Sequence, residues 1–260
     1  MLFRSVPMMA FRLATPRYLV DIGRIEGLNR IIVEPDCVRL GALVRWRDIE
    51  RSAELQRAHP LLVEAIRHVA HYQIRNRGTV GGSLAHGDPA AEMPGIAVTC
   101  EAEIVAAGPT GQRRIAASDF FLGPLMTALR PEELIVEMRL PAWRQGRRWA
   151  FQEFARRRGD FALAGVALFY DPDASGRTTN VHIGAIGVGD APLRLREAEA
   201  EIESKIVTEA VIRKAVQVAS AGVTPADDIH APSEYRRSLL GVLTERALAH
   251  AARLPLREDA

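Results

Sequence analysis

A chain of 260 residues, 48% of them hydrophobic, can bury a large core and is long enough for two or three subdomains. The formal net charge is only +2, and acidic residues are interleaved with the arginines, as in 45–54 and 194–203. This balance predicts an ion-paired, solvated surface and no nucleic-acid partner. Lysine occurs at positions 205 and 214 alone, so arginine supplies nearly all of the positive charge.

Cysteine content and hydropathy exclude two further classes of protein. Cys37 and Cys100 are too few for an iron–sulfur cluster, which needs four ligands, and are expected to be buried, inert thiols. No apolar run approaches the length of a membrane span, and no signal sequence opens the chain. The expected location is the cytoplasm.

The first 45 residues are predicted to form a small α/β unit. Residues 18–22 and 37–41 have strand character, with turns at Gly23 and at 34–36, and a short helix is expected over 8–13. Residues 46–70 carry apolar residues at helical spacing, and Pro60 suits the first turn of a helix.

Two further units follow. In the middle unit, residues 46–145, we expect a hairpin of 103–107 and 112–115 around a turn at 108–111, and a strand over 134–140. In residues 146–260, three antiparallel strands are predicted around 149–155, 163–171 and 179–186. Helices over 208–221 and 233–252 are expected to cover these strands.

The chemically suggestive stretch runs from His71 to Pro94 and holds four glycines, at 78, 81, 82 and 87. Glycines let the backbone approach a ligand, and successive N–H groups in such a bend can form a concave anion site. Neither the phosphate-loop motif nor the dinucleotide fingerprint is present. From the residues alone, a nucleotide site and an ordinary tight turn both remain open.

Other chemistry has less support. The seven histidines include no helical His-Glu-x-x-His pattern for zinc, and no Gly-x-Ser-x-Gly elbow supports a nucleophilic triad. Asp88 and Glu92 could form an acid–base pair, but Asp88 is better placed to cap the turn before Pro89. The run Arg156-Arg-Arg-Gly-Asp-Phe161 could be only a charged hairpin edge.

Residues 73–83 and 85–94 together resemble the second flavin-binding motif of one family, the FAD-binding medium subunits of molybdenum hydroxylases such as carbon monoxide dehydrogenase and xanthine dehydrogenase. The resemblance continues at 7–22, 133–141 and 156–165. It implies an α+β fold, with an FAD-binding domain of the PCMH/vanillyl-alcohol-oxidase-like type followed by a C-terminal domain of antiparallel strands covered by helices. The domain bounds expected are 1–45, 46–145 and 146–260.

The resemblance also implies a set of FAD contacts. Phe161 is expected to pack against the isoalloxazine ring, Ile135 to supply main-chain contacts to its pyrimidine edge, and Glu92 to accept from FAD hydroxyls. No residue is expected to make or break bonds, and no metal ligand is implied. The full set of expected cofactor contacts is Ser5, Gly78, Thr79, Val80, Gly81, Gly82, Ser83, Glu92, Ile135, Asp160 and Phe161.

The implied function is electron transfer. Electrons from a molybdenum cofactor in a large subunit would pass two [2Fe–2S] clusters in a small subunit and reach an external acceptor through FAD in this chain. The expected assembly is a dimer of heterotrimers. The hydroxylated substrate and the acceptor are not encoded in these residues.

One departure from the family pattern bears on FAD affinity. The family has a first Gly-Gly motif directly before the segment that matches Pro7, whereas this sequence reads Met-Leu-Phe-Arg-Ser-Val and retains only Ser5. Losing three or four charge-assisted hydrogen bonds, each worth about 1.5–3 kcal/mol, could weaken FAD binding by several orders of magnitude. Two alternatives therefore stay open: a shortened, FAD-deficient paralogue that only docks partners, and a stand-alone FAD oxidase, for whose substrate domain the chain has no room.

Overall fold

The computed structural model describes residues 7–255, and its first layer is a five-stranded antiparallel sheet. Its strands are β1 (Ile31–Val33), β2 (Cys37–Gly41), β3 (Glu103–Gly108), β4 (Gly111–Ala116) and β7 (Leu134–Pro141). They are ordered β1-β2-β7-β3-β4, so β7 lies at the centre. Strands β5 (Phe121–Gly123) and β6 (Met126–Thr127) form a separate two-stranded sheet between β4 and β7 in the chain.

Seven helices between residues 46 and 120 accompany this sheet. They are α1 (Trp46–Arg51), α2 (Ala53–Ala58), α3 (Pro60–His68), α4 (Tyr72–Arg75), α5 (Val80–His86), α6 (Glu92–Thr99) and α7 (Ala117–Phe120). Local capping explains their short lengths: the Ser52 hydroxyl accepts from the Leu55 N–H, and the His59 ring from the Leu62 N–H. Pro60 begins α3, as predicted.

The second layer is a four-stranded antiparallel sheet with three helices. Its strands are β8 (Arg148–Phe154), β9 (Ala164–Pro172), β10 (Thr178–Ile186) and β11 (Leu193–Arg194), in the order β11-β10-β9-β8. The helices are α8 (Arg196–Ala200), α9 (Glu209–Ala221) and α10 (Ser233–Ala252). The three predicted C-terminal strands and their covering helices are confirmed, and β11 adds a fourth strand that was not predicted.

Both faces of the second sheet are apolar, because neighbouring apolar residues along β8 and β9 point alternately to its two sides. Ala150 and Leu168 join Leu240 of α10 in one core, that of the second domain, which the second sheet and its helices form. Phe151 and Phe169 belong to the other core, that of the first domain, which the first sheet and its helices form. Successive residues of a strand point to opposite faces, so one sheet can serve both domains. The second sheet is therefore the interface between them.

Helix α6 approaches this sheet closely because glycines occupy both sides of the contact. A Cβ added to Gly95 would lie 2.5 Å from the Ile186 side chain, and one added to Gly184 would lie 2.9 Å from Cβ of Thr99. Such distances are too short for a real methyl group, so glycine is needed at both positions. This approach fixes where the first turn of α6 lies.

Most sequence-based expectations for the first domain hold. The short helix expected over 8–13 covers residues 7–10 instead, and a turn follows it. The helical region 46–70, the hairpin of β3 and β4 and the strand over 134–140 are confirmed, as are Cys37–Gly41 and the turn before it. The predicted strand at 18–22 is wrong. Tyr18, Leu19 and Val20 are 69–83% exposed, and residues 18–22 pair with no strand within 7–255. Extended residues form a strand only where a neighbour accepts and donates their main-chain hydrogen bonds.

Domain boundaries are only partly visible in this architecture. Strands β1 and β2 precede residue 45, but they belong to the same sheet as β3, β4 and β7. The division at 45 therefore stays a prediction. No helix within residues 7–255 combines the length and the apolar character that crossing a membrane requires.

Gly184→Ala is expected to destabilise the fold by about 1–3 kcal/mol, because the new methyl group overpacks the contact with Thr99. The control is Gly123→Ala, since a Cβ there meets nothing within 4 Å. Chemical unfolding followed by circular dichroism checks both. Equal unfolding midpoints for the two variants would show that α6 and β10 can separate freely.

Candidate functional site

The glycine segment, residues 78–83, forms the start of a helix rather than an open bend. Thr79 forms an isolated bridge with Arg45 and is the N-cap of α5. Its hydroxyl accepts a 3.1 Å hydrogen bond from the Gly82 N–H. Gly87 ends the helix with φ +62°, the left-handed conformation typical of a glycine C-cap.

The main-chain donors of this segment are already used within the chain. The Val80 N–H donates to Val44 O at 3.0 Å, the Gly81 N–H to Ala42 O at 2.8 Å, and the Ser83 N–H to Thr79 O at 3.0 Å. With the Gly82 bond to Thr79, four consecutive amides have acceptors. A concave row of free amides, which the sequence left open, is therefore not formed at residues 80–83. Two of these amides, those of Val80 and Gly81, instead attach α5 to the loop after β2.

Two of the glycines are explained by close packing inside the protein. A Cβ on Gly78 would lie 2.5 Å from Nε1 of Trp46, and a Cβ on Gly81 would lie 2.6 Å from the Cβ of Ala42. Any larger residue would push α5 away from the first domain's core. The ordinary structural interpretation of these glycines, left open by the sequence, accounts for both positions.

The second predicted motif packs directly against the first. Gly159 has φ +89°, and a Cβ there would lie 2.6 Å from the His71 ring and 2.8 Å from Ala70 O. The loop 156–161 thus packs against Ala70 and His71, which precede the glycine segment in the chain. Phe161, in this loop, is 63% exposed, and Asp160 is exposed as well. The arrangement leaves an aromatic ring available beside the glycine segment.

Ile135 lies where the central strand runs past its neighbour. The register of β2 with β7 ends at Gly41 and Glu137, so β7 continues beyond β2 toward Ile135. On the other side Ile135 pairs with Ala106, and its side chain is buried. Its position could offer main-chain groups to a ligand only on the β2 side. Ser5, the remaining predicted contact, lies outside the described residues.

Two acidic residues, Glu92 and Glu153, lie on the elements that come together where α6 approaches the second sheet. Glu92 opens α6, and burial raises its pKa to about 7, with a further contribution from the Asp88 charge. Glu153 lies on β8, and burial together with the Glu92 charge raises its pKa to about 9. Asp88 itself accepts from the Ala90 N–H at 2.9 Å, so its predicted role as a turn cap is confirmed.

Glu153 was not predicted from the sequence, although a signal was present. On β8 it lies two residues from Phe151, so both side chains point to the face that packs on the first domain. The Phe151 ring contacts the His68 ring, with centroids 4.9 Å apart. A glutamate that shares a strand face with a core phenylalanine is unusual, because charged groups are rarely buried without a partner.

Both cysteines are free and buried, as predicted, but their surroundings differ. Cys100 belongs to the hydrophobic core. Cys37 instead contacts Glu34 Oε2 at 3.3 Å and Arg139 Nη2 at 3.5 Å. Asp36 completes a group of three residues with ligand atoms. Because Arg39 also binds Glu34, at 3.1 Å, this cluster is explained as a polar network at the β1–β2 turn.

Comparison with known proteins assigns both halves of the chain. Residues 4–143 match the family "FAD binding domain in molybdopterin dehydrogenase", and residues 149–251 match "CO dehydrogenase flavoprotein C-terminal domain". The chain belongs to the FAD-binding medium subunits of the molybdenum hydroxylases. The predicted family is therefore confirmed, and with it FAD as the cofactor and oxidoreductases as the enzyme class.

Individual relatives support the same assignment. The carbon monoxide dehydrogenase medium chain of Hydrogenophaga pseudoflava is 37% identical over 94% of this chain and 84% of its own length. The 6-hydroxypseudooxynicotine dehydrogenase complex subunit alpha of Paenarthrobacter nicotinovorans is 36% identical over 95% of this chain and 83% of its own length.

Solved structures confirm the fold. A carbon monoxide dehydrogenase chain from Hydrogenophaga pseudoflava superposes with a TM-score of 0.92 at 37% identity, covering 98% of this chain and 88% of that one. Quinoline 2-oxidoreductase from Pseudomonas putida 86 gives a TM-score of 0.90 at 33% identity, covering 96% of this chain and 86% of that one. The expected α+β architecture, with its C-terminal antiparallel sheet, is confirmed.

Thr79→Ala is expected to cost about 1 kcal/mol of stability, because the Gly82 N–H loses its side-chain acceptor at the helix start. Thr79→Ser keeps a hydroxyl and should retain most of that stability. Urea unfolding of the two variants and the wild type measures the difference. If alanine and serine behave alike, the hydroxyl does not cap α5.

Proposed function

We propose that this medium subunit transfers electrons within a molybdenum hydroxylase complex, where FAD supplies the redox chemistry that links the [2Fe–2S] clusters of a small subunit to an external acceptor. A large subunit would carry the molybdenum cofactor. The proposed assembly is a dimer of heterotrimers in the cytoplasm. The observation that carries the proposal is the contact of Gly159 with His71, because it joins the two loops whose sequences resemble FAD-contacting motifs.

The residues around this contact suit a flavin ring. The exposed side chain of Phe161 offers a flat apolar face that would exclude water from one side of the ring and leave the other side for electron exchange. Asp160 precedes it in the same loop. Main-chain groups at Ile135, past the end of β2, are proposed to bind the polar edge of the ring, where hydrogen bonds stabilise the reduced form.

The other proposed contacts lie on α5 and α6. Glu92, at the first position of α6, is proposed to accept hydrogen bonds from cofactor hydroxyls. The hydroxyl of Ser83 has no hydrogen-bond partner within residues 7–255 and is proposed to donate to the diphosphate. Gly78, Thr79, Val80, Gly81 and Gly82 are proposed to border the diphosphate, although the last three share their amide protons with acceptors in the chain.

The hydrogen bonds that these amides already make within the chain favour a second candidate function, that of a docking subunit. A subunit whose glycine segment is occupied by its own hydrogen bonds could dock its partners without holding FAD. Titration of the full chain with FAD, followed by quenching of flavin fluorescence, separates the two proposals. Saturable, stoichiometric quenching supports the electron-transfer subunit. A folded chain that leaves FAD fluorescence unchanged at high protein concentration supports the docking subunit.

Phe161→Ala is expected to weaken FAD binding about tenfold, because aromatic pairs contribute roughly 0.5–1.5 kcal/mol beyond their buried area and the substitution removes that area too. The same titration measures it. The control is Tyr235→Ala, which removes a 44% exposed aromatic side chain from α10, on the far face of the second sheet. Unchanged affinity in Phe161→Ala would remove this ring from the proposed site.

A further inference from the structure

Glu153 of β8 pairs with Gly165 of β9, and Gly165 pairs with Ile186 of β10. Gly95 of α6 packs on the Ile186 side chain, so the first turn of α6, which holds Glu92, lies over the part of the sheet that holds Glu153. The charge of Glu92 accordingly raises the pKa of Glu153. Both side chains are partly buried. Oε2 of Glu153 is fully buried and has no hydrogen-bond partner among the residues the structure describes. A buried carboxylate oxygen without a donor is costly, whereas a protonated carboxyl can itself donate a hydrogen bond.

We propose that Glu92 and Glu153 share one proton, which resides on Glu153, and that Glu153 thereby positions an ionised Glu92 as the acceptor for a cofactor hydroxyl. Glu153 is thus a positioning residue, and this inference rests on the proposed contact of Glu92 with FAD. Nothing in the sequence motifs assigns a role to Glu153. Its place on β8 makes the C-terminal domain part of the cofactor site.

Local structure decides which of the two acids holds the proton. Glu92 lies in the first turn of α6, where its own main-chain N–H stabilises the ionised carboxylate. Glu153 lies near the end of β8, opposite Gly165 of β9, and its Oε2 accepts no hydrogen bond from the residues the structure describes. Two like charges in a poorly solvated site do not ionise together, so the acid with no donor stays neutral.

The neighbouring elements bring few charges that would alter this distribution. On the α6 side, Asp88 adds a negative charge, and His86 Nε2 lies 3.7 Å from Asp88 Oδ2. On the β8 side, α3 contributes His68, whose pKa is lowered mainly by burial, with Arg158 nearby. Helix α10 packs on the opposite face of the sheet and carries Arg236 and Arg237.

The arginines of α10 do not neutralise the pair. Arg236 donates to Leu163 O and Gly187 O at 2.8 and 3.0 Å and binds Asp228 at 2.7 Å. Nε of Arg237 is buried without an acceptor within residues 7–255. The charge that acts on Glu153 is that of Glu92, and the one that acts on Glu92 is that of Asp88. Repulsion between acids is therefore relieved by protonation.

The shared proton predicts how FAD binding depends on pH. Between about pH 7 and 9 the pair carries one proton, and Glu92 is ready to accept. Below pH 7, FAD must displace a proton from Glu92, and above pH 9 binding must restore one to Glu153. Affinity should therefore be highest near pH 8 and fall by up to about tenfold per pH unit on either side.

Isothermal titration calorimetry of the full chain with FAD, from pH 6 to 10 in buffers of different ionisation enthalpy, counts these protons. We expect net proton release at pH 6, little exchange at pH 8 and uptake approaching one proton at pH 10. Glu153→Gln, which mimics the neutral acid, should keep the affinity at pH 8 within about threefold and lose both the uptake and the weakening above pH 9. Glu132→Gln, at an exposed position, is the control and should match the wild type.

The outcomes separate the two proposals. FAD binding with no proton exchange and equal affinity across this range would overturn proton sharing and leave the FAD site intact. Absence of FAD binding at every pH would overturn the FAD site and this inference with it. If Glu153→Gln does not fold, the wild type without FAD decides alone, since a melting temperature that falls between pH 7 and 9 supports the inference and a constant one overturns it.

The pH dependence of the stability of the chain without FAD tests the proposed proton sharing independently of cofactor binding. Both acids bind protons more tightly when folded than at the ordinary glutamate pKa of 4.5, so their contribution to stability is complete below pH 4.5 and is lost as pH rises to about 9. The melting temperature of the wild type should therefore fall between pH 7 and 9. Glu153→Gln should remove most of that decline, and Glu132→Gln should leave it unchanged.

Discussion

The close approach of α6 to the second sheet is the contact on which the rest of the molecule depends. Gly95 and Gly184 remove the side chains that would hold the two apart. Polar contacts then fix the distance: the His182 ring bonds Thr99 O at 2.7 Å, and the Gly187 N–H donates to Pro89 O at 3.0 Å. Because these bonds attach both ends of the segment from Pro89 to Thr99, the first turn of α6 has a defined place, and Glu92 with it.

The glycine segment serves packing inside the protein, and the ligand binding proposed for it would use the same residues. Gly78 and Gly81 allow α5 to lie against Trp46 and Ala42, and the amides of the segment anchor it to the loop after β2. A ligand that contacts such a segment meets a rigid surface whose hydrogen bonds are formed before it arrives. Preorganisation of that kind lowers the entropy lost on binding, even where the protein keeps some donors for itself.

The hydrophobic pattern and the turn residues of the sequence predict some parts of this fold correctly and fail at others. Period-two alternation and turn residues locate β3, β4, β9 and β10, because each strand has a partner nearby in the chain. The same pattern fails at 18–22, because a strand also needs a neighbour that local sequence does not reveal. Resemblance identifies the loop around Gly159, but only its three-dimensional contact with His71 shows that the two distant motifs lie side by side. Glu153 could not be predicted, because neither a motif nor a resemblance points to it and because α6, against which its sheet face packs, lies more than fifty residues away in the chain.

The acid pair at the domain interface is better explained by binding than by folding. Removing charged groups from water costs several kcal/mol unless they are paired, and apolar residues of similar size would stabilise such an interface more. Phe151, on the same face of β8, shows that this surface accepts apolar side chains. Glu92 and Glu153 nevertheless lie together where α6 begins, beside the proposed hydroxyl contacts of the cofactor. An interface that needed only cohesion would place hydrophobic residues there, and the acids therefore support the proposal that both domains contact a polar ligand.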